Sequence, residues 1–269
     1  MKSITLLCFS AACLGGAAAG ASDATQGAAP SAAVIAVVID DLGNTLAEGR
    51  RVAALPGPVT CSILPHTAHG REIAELAHGA GKEVMLHLPM ESVDDEPLGP
   101  GGISLDMTES EILHTVTDDI ASIPHLAGVN NHEGSLMTQH PGDMTWIMQA
   151  LHAAGPYFYI DSYTTADSVA YQMARENGVP AARRNVFLDD VNTAEEVTQQ
   201  WQRLLKIAHR NGFAIAIGHP RSATLAMLEE EIPKLAAENI SLVPVSQIVA
   251  LQEAHPLSSV TPEPQAATH

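Results

Sequence analysis

Cysteine is scarce. The 269-residue chain has three, and Cys8 and Cys13 both fall in the N-terminal segment, so beyond it Cys61 stands alone and has no partner for an internal disulfide. Aromatic residues make up 4% of the chain, too few to line a long stacking surface. Basic residues are also few: 13 Lys and Arg face 31 Asp and Glu, a formal charge of −18. Nucleic acids and other polyanions need a basic face, and none is visible. No apolar run is followed by a glycine-rich phosphate loop, so a nucleotide cofactor has no support. There is no Gly-x-Ser-x-Gly elbow, and Cys61 lies inside an apolar run, away from the strand ends where a nucleophile would be presented.

Apolar content is ordinary at 46%, enough for one large domain with a sizeable core. Met1-Lys2-Ser3, the apolar segment Ile4 to Leu14 and the small residues Ala19-Gly20-Ala21 read as a secretory signal peptide cleaved after Ala21. Export to the periplasm or cell envelope is the expectation. Ser10-Ala11-Ala12-Cys13 lacks the large aliphatic residue of a lipoprotein site, which makes lipidation the lesser reading. No other stretch is apolar for long enough to span a bilayer. Residues 22–32 are expected to form a flexible leader, 33–255 the folded domain and 256–269 a loose tail.

Within the domain, apolar runs rich in β-branched residues alternate with helix-friendly stretches. Strands are expected at about 34–39, 58–64, 83–87, 126–130, 157–160, 185–188, 213–217 and 241–244. Helices are expected near 44–54, 67–80, 108–122, 142–154, 166–177, 193–211 and 222–238. Roughly seven or eight such units in about 220 residues favour an α/β fold: a seven- or eight-stranded (β/α) barrel, complete or incomplete, over an open doubly wound sheet.

The residues at the strand ends carry the chemistry. The first run, Val34 to Ile39, ends in Asp40-Asp41. Later runs end in Leu64-Pro65-His66, His87-Leu88-Pro89-Met90-Glu91, Asn130-Asn131-His132-Glu133-Gly134-Ser135, Asp161-Ser162, Asp189-Asp190 and Gly218-His219-Pro220-Arg221. In a parallel barrel these ends share one rim, where active sites are built. Asp, Glu and His without Cys match a hard or borderline divalent ion, with Zn²⁺ the usual choice. Neighbouring strand residues face opposite ways, so Asp40 and Asp41 can act together only if the strand has ended by then. His78, His114, His125, His152 and His209 fall in helical stretches and read as surface residues. Tyr163 is the aromatic expected nearest the substrate.

Ile35 to Gly43, Met85 to Glu91, Gly128 to Ser135 and Ala216 to Pro220, in that order, resemble the divergent polysaccharide deacetylases. This is the YibQ-like family, a distant branch of the NodB-like carbohydrate esterases. The resemblance covers about residues 33 to 253. It implies a distorted, NodB-like (β/α) barrel in which a strand-end Asp pair supplies one metal ligand and one general base. A His-x-x-x-His motif supplies two further ligands, and a late His acts as general acid. On the matching positions Asp41 is the ligand, Asp40 the base and His87 the first motif His. The second motif His falls on Glu91, a departure. The third ligand is then either Glu91 or His132, and the bent-looking Asn130-Asn131 and Gly134-Ser135 flanks favour His132. Asp161 resembles an orienting carboxylate, and His219 the general acid, kept protonated by Asp161 or Asp189. Glu91, Asn131, Ser135, Asp189 and Arg221 remain as alternative ligands or substrate contacts.

The function so implied is an exported, metal-dependent hydrolase that removes N-acetyl groups from a glycan, peptidoglycan or another N-acetylated polysaccharide. The alternative is an inactive deacetylase-like barrel that binds a ligand or a cell-envelope partner. A metal phosphoesterase would use similar ligands, but no basic cluster for phosphate is visible beyond Arg221. Oligomeric state is not legible.

Overall fold

The first apolar run sits at the centre of the architecture. In the computed structural model, which describes residues 33–94 and 97–254, it forms β1 (Ala33–Leu42), whose Ile35 to Ile39 are wholly buried. Burying each of the larger aliphatic side chains contributes about 1.5–3 kcal/mol. Beside β1 on one side lie β2 (Thr60–Ile63), β3 (Glu83–Met90), β4 (Leu126–Glu133), β5 (Phe158–Asp161) and β6 (Ala181–Arg183). On the other lie β8 (Phe213–Gly218) and then β7 (Val186–Phe187), while β9 (Ile240–Leu242) pairs with the start of β1. All these pairings are parallel. The sheet curls into a (β/α) barrel left open between β6 and β7.

The helices are α1 (Leu46–Ala53), α2 (Gly70–Gly79), α3 (Glu109–Ser122), α4 (Pro141–Ala154), α5 (Ala170–Glu176), α6 (Ala194–Asn211), α7 (Ser222–Glu231) and α8 (Val245–Ala254). Their ends obey local chemistry. A Thr108–Glu111 capping box opens α3, and the Thr193 hydroxyl accepts from the Glu196 N–H to open α6. Gly212, left-handed at φ +84°, closes α6, the conformation glycine adopts most easily.

Strict alternation along the strands separates two apolar layers. Ile35, Val37, Ile39, Leu86 and Val129 pack against the outer helices. Ala36, Val38, Met85, Ile160, Ile215 and Ile217 face the other way and meet Val245, Ile248 and Val249 of α8. Toward the C-terminal strand ends that inner layer becomes polar, and there it forms the floor of a pocket.

The expected strands and helices appear with small boundary shifts. Two elements were not expected. β6 is three residues of Ala-Ala-Arg, without the β-branched or aromatic content that marks a strand. The other is α8, whose inner face is made by the i, i+3, i+4 spacing of Val245, Ile248 and Val249. The helix expected over 222–238 stops at Glu231 and continues as a 3₁₀ segment, Ile232–Glu238, because Pro233 cannot donate to an α-helical ladder. His125 lies past the end of α3 at φ +64°, its ring stacked 3.9 Å from that of His78. The expected signal peptide, leader and tail lie outside the described residues. Among the described residues no helix is long and apolar enough to cross a membrane.

Candidate metal centre

Among the described residues six non-glycine positions have positive φ, and four of them, Asp41, His66, Glu133 and Tyr163, sit at or just past the ends of β1, β2, β4 and β5. Such backbone costs on the order of 1–3 kcal/mol per residue and collects at functional sites. At β1 its consequence is direct. The register against β2 slips between Ile39 and Leu42, and Asp41 turns left-handed at φ +58°. That bulge brings Asp40 and Asp41 to the same pocket, overriding the alternation that would have sent them apart.

The pocket has a volume of about 260 Å³, small for a ligand site. Its lining is Asp40, Asp41, His87, Asn131, His132, Glu133, Ser162, Thr164, Phe187 and His219. Asp41 Oδ1, His87 Nε2 and His132 Nδ1 form a triangle. Its edges are 3.3 Å from Asp41 to His87, 3.0 Å from Asp41 to His132, and 3.1 Å between the two imidazoles. Asp41 Oδ1 is buried, and although two ring nitrogens are this close, neither bonds to it at an acceptable angle. Three lone-pair donors thus converge, and the carboxylate oxygen among them is left unsatisfied. Ligands at the 2.0–2.2 Å distances of a tetrahedral Zn²⁺ site lie roughly 3.3–3.5 Å apart, so the triangle fits a divalent cation with little adjustment. No other group of three such side chains converges in this way among the described residues.

Two further groups flank the triangle. Asp40, 2% exposed, has Oδ2 3.6 Å from His87 Nε2, and both its oxygens accept from Asn130 Nδ2 at 3.0 Å. Burial raises its pKa, against the opposing His87 and His219 charges and the Asn130 bond. Burial would also raise Asp41, but contacts with His132 and His87 outweigh it and hold that carboxyl below its ordinary range. His219 lies 3.8 Å through Nε2 from Asp41 Oδ2, and its Nδ1 is 2.8 Å from Asp189 Oδ1. Burial alone would lower its pKa; the Asp189 bond and charge reverse that and raise it. Asp189 is itself fully buried and also accepts from the His219 backbone N–H and the Thr224 hydroxyl.

The other candidates have different partners. Asp161 is buried but engaged by Arg183 at 3.1 Å, Ser168 and the Tyr163 N–H, so the carboxylate that holds His219 is Asp189. The Glu91 carboxylate accepts from the Leu105 N–H at 2.7 Å and is not part of the triangle, where His132 stands instead. Asn131 accepts from the Tyr159 hydroxyl and the Ser162 N–H. The Ser135 hydroxyl accepts from the Val93 N–H. Arg221 opens α7 and donates to the Asp189 carbonyl oxygen. Tyr163 turns its hydroxyl to the Ala166 carbonyl beneath the Arg183 guanidinium; the aromatic lining the pocket is Phe187, stacked near His219 and covered by Arg184. Asn130, Ser62, Ser162, Thr164 and Glu133 gave no local signal beyond their nearness to strand ends. Cys61 faces the outer helix layer, and burial pushes its thiol up to about 12, so it offers no thiolate.

An open (β/α) barrel with carboxylates and imidazoles on its C-terminal rim defines the class. The family is shown by the sequence: a model of divergent polysaccharide deacetylases matches residues 37–249, and the chain belongs to that family. The uncharacterized protein YibQ of Escherichia coli (strain K12) is 36% identical over 215 residues, 80% of this chain and 67% of that one. An uncharacterized protein of Haemophilus influenzae is 35% identical over 209 residues, 78% and 74% of the two chains. The crystal structure of an uncharacterized Agrobacterium tumefaciens C58 protein shares the fold. It has TM-score 0.77 at 21% identity and covers 81% of this chain and 89% of that one.

Proposed function

We propose that the protein is an exported, metal-dependent hydrolase that removes N-acetyl groups from a glycan. The observation that carries this is the convergence on one pocket of three ligand atoms, a buried carboxylate and an imidazole held by a second carboxylate. Asp41, His87 and His132 would hold the ion. Bound there, a divalent ion such as Zn²⁺ would polarise the acetamide carbonyl and make water acidic enough to attack at neutral pH.

The chain's own residues supply the proton transfers. Asp40, beside the triangle and raised by burial, accepts the proton of the attacking water. His219 carries its Nδ1–H on Asp189, so Nε2 faces the pocket and delivers a proton to the departing amine. The Asn130 bonds keep Asp40 from rotating away. The pocket is sized for an acetamido group and part of one ring, and its lining has no Lys or Arg, which favours a neutral glycan over a phosphate ester. The signal-peptide pattern of residues 1–21 supports export, with a substrate in the cell envelope.

The test is metal analysis of the purified protein together with acetate release from N-acetylated chitooligosaccharide and peptidoglycan fragments. About one divalent ion per chain, with acetate released and both lost in His87→Ala, is the expected result. Metal bound without acetate release from either substrate class would overturn the catalytic reading and leave a ligand-binding barrel. No metal bound even after reconstitution would overturn the metal-centre reading too.

A further inference from the structure

One buried side chain touches both halves of the site. Asn130 is fully buried and is the direct register partner of His87 across β3 and β4. Its Nδ2 donates to both oxygens of Asp40 at 3.0 Å and approaches the Ser162 hydroxyl at 3.3 Å. Its Oδ1 accepts from the Ser62 hydroxyl at 2.6 Å and lies 3.0 Å from His87 Nδ1. The reverse amide orientation would set a carbonyl oxygen against a carboxylate and forfeit two charge-assisted bonds. Asp40 therefore fixes which way the carboxamide points. A carbonyl oxygen only accepts, so His87 Nδ1 must be the nitrogen that carries hydrogen. In the neutral ring Nε2 is then left bare, and Nε2 is the His87 atom in the triangle.

We propose that Asn130 is the positioning residue that selects the ligating nitrogen of His87: turned by Asp40, its carboxamide holds the proton on Nδ1 and leaves Nε2 free for a divalent cation. The inference rests on the metal-centre reading. Only a carboxamide offers the acceptor for the imidazole and the donor for the carboxylate together, and Gln would force an extra methylene into a closed layer.

The test uses wild type, Asn130→Leu and Asn130→Asp. Zn²⁺ affinity is measured by competition with a chromophoric chelator, and the His87 tautomer by long-range ¹H–¹⁵N correlation in the metal-free protein at alkaline pH. The expected wild-type tautomer is Nδ1–H. Asn130→Leu, with the same branched shape but no acceptor, should lose about 10–100-fold in affinity. Asn130→Asp keeps an acceptor for His87 but offers Asp40 no donor, so the reading taken from it is the tautomer, expected to remain Nδ1–H. An Nε2–H tautomer in wild type or in Asn130→Asp, or no loss of affinity in Asn130→Leu, overturns the proposal. If wild type takes up no Zn²⁺, the metal-centre reading fails on its own; the tautomer in that same sample still supports or overturns the role of Asn130. The wild-type tautomer also decides the matter if Asn130→Leu does not fold.

Discussion

Replacing Asp189 by Asn removes one charge and leaves the shape of the site intact. Asp189 accepts three bonds: His219 Nδ1–H at 2.8 Å on Oδ1, and the His219 N–H at 2.8 Å and the Thr224 hydroxyl at 2.6 Å on Oδ2. An Asn cannot face all three donors. Its oxygen is best placed on the backbone N–H and Thr224, which turns its NH₂ toward His219 Nδ1 and forces the imidazole proton onto Nε2 in a neutral ring. A hydrogen bond to a charged partner in such a setting is worth about 1.5–3 kcal/mol, equivalent to about a 10- to 100-fold loss of imidazolium. With the Asp189 bond and charge gone, burial is opposed by the Asp41 and Asp40 charges alone, and the His219 pKa falls. Its titration, followed by NMR in metal-free protein, should move to a lower pH than in wild type, where it lies above the ordinary value of about 6.5. Acetate release should fall by about 10²–10⁴-fold, the usual weight of a general acid. If His219 titrates at the same pH or higher in Asp189→Asn, the dyad argument is wrong, whatever happens to the rate.

The same geometry carries two further outcomes. Glu91→Ala removes the acceptor of the Leu105 N–H and should lower stability by about 1–3 kcal/mol while metal content stays at the wild-type level; His132→Ala should lose the metal. Retained metal in His132→Ala with loss in Glu91→Ala would reverse the ligand choice. Asp119, buried on α3 and bonded to His66 at 2.8 Å, is pushed up to about 8 by burial and, secondarily, by Asp118. Its folded value lies above the unfolded value of about 3.9, so the folded state holds the extra proton and stability falls as pH rises between the two. Asp119→Asn should flatten that fall, gaining on the order of a few kcal/mol over wild type by pH 8. Parallel pH–stability slopes for the two proteins, from urea unfolding, would contradict this.

Much of the fold can be read from local pattern. Val34 to Ile39 is apolar and β-branched, a combination that a strand buried on both faces accommodates best, and the helices between runs carry their caps in sequence, as at Thr108 and Gly212. β6 was not legible because Ala181 and Ala182 owe their strand geometry to pairing with Tyr159 and Ile160, a long-range contact.

The candidate site divides along the same line. Chain chemistry alone determined which strand ends carry carboxylates and imidazoles, because residue type and position relative to an apolar run are local properties; the resemblance to the deacetylase motifs singled out Asp40, Asp41, His87, His132 and His219 among them. Tertiary structure decided how they pair. It put Asp189, beside β8 through the His219 backbone, on the His219 imidazole, and it gave Asp161 to Arg183 across β5 and β6. It tied Glu91 to the loop at Leu105 and brought His132 to the triangle. It also set Asn130 between Asp40 and His87, a role fixed by β3–β4 register and by the β1 bulge. Register, bulge and loop closure arise from contacts between residues far apart in the chain, and no local window contains them.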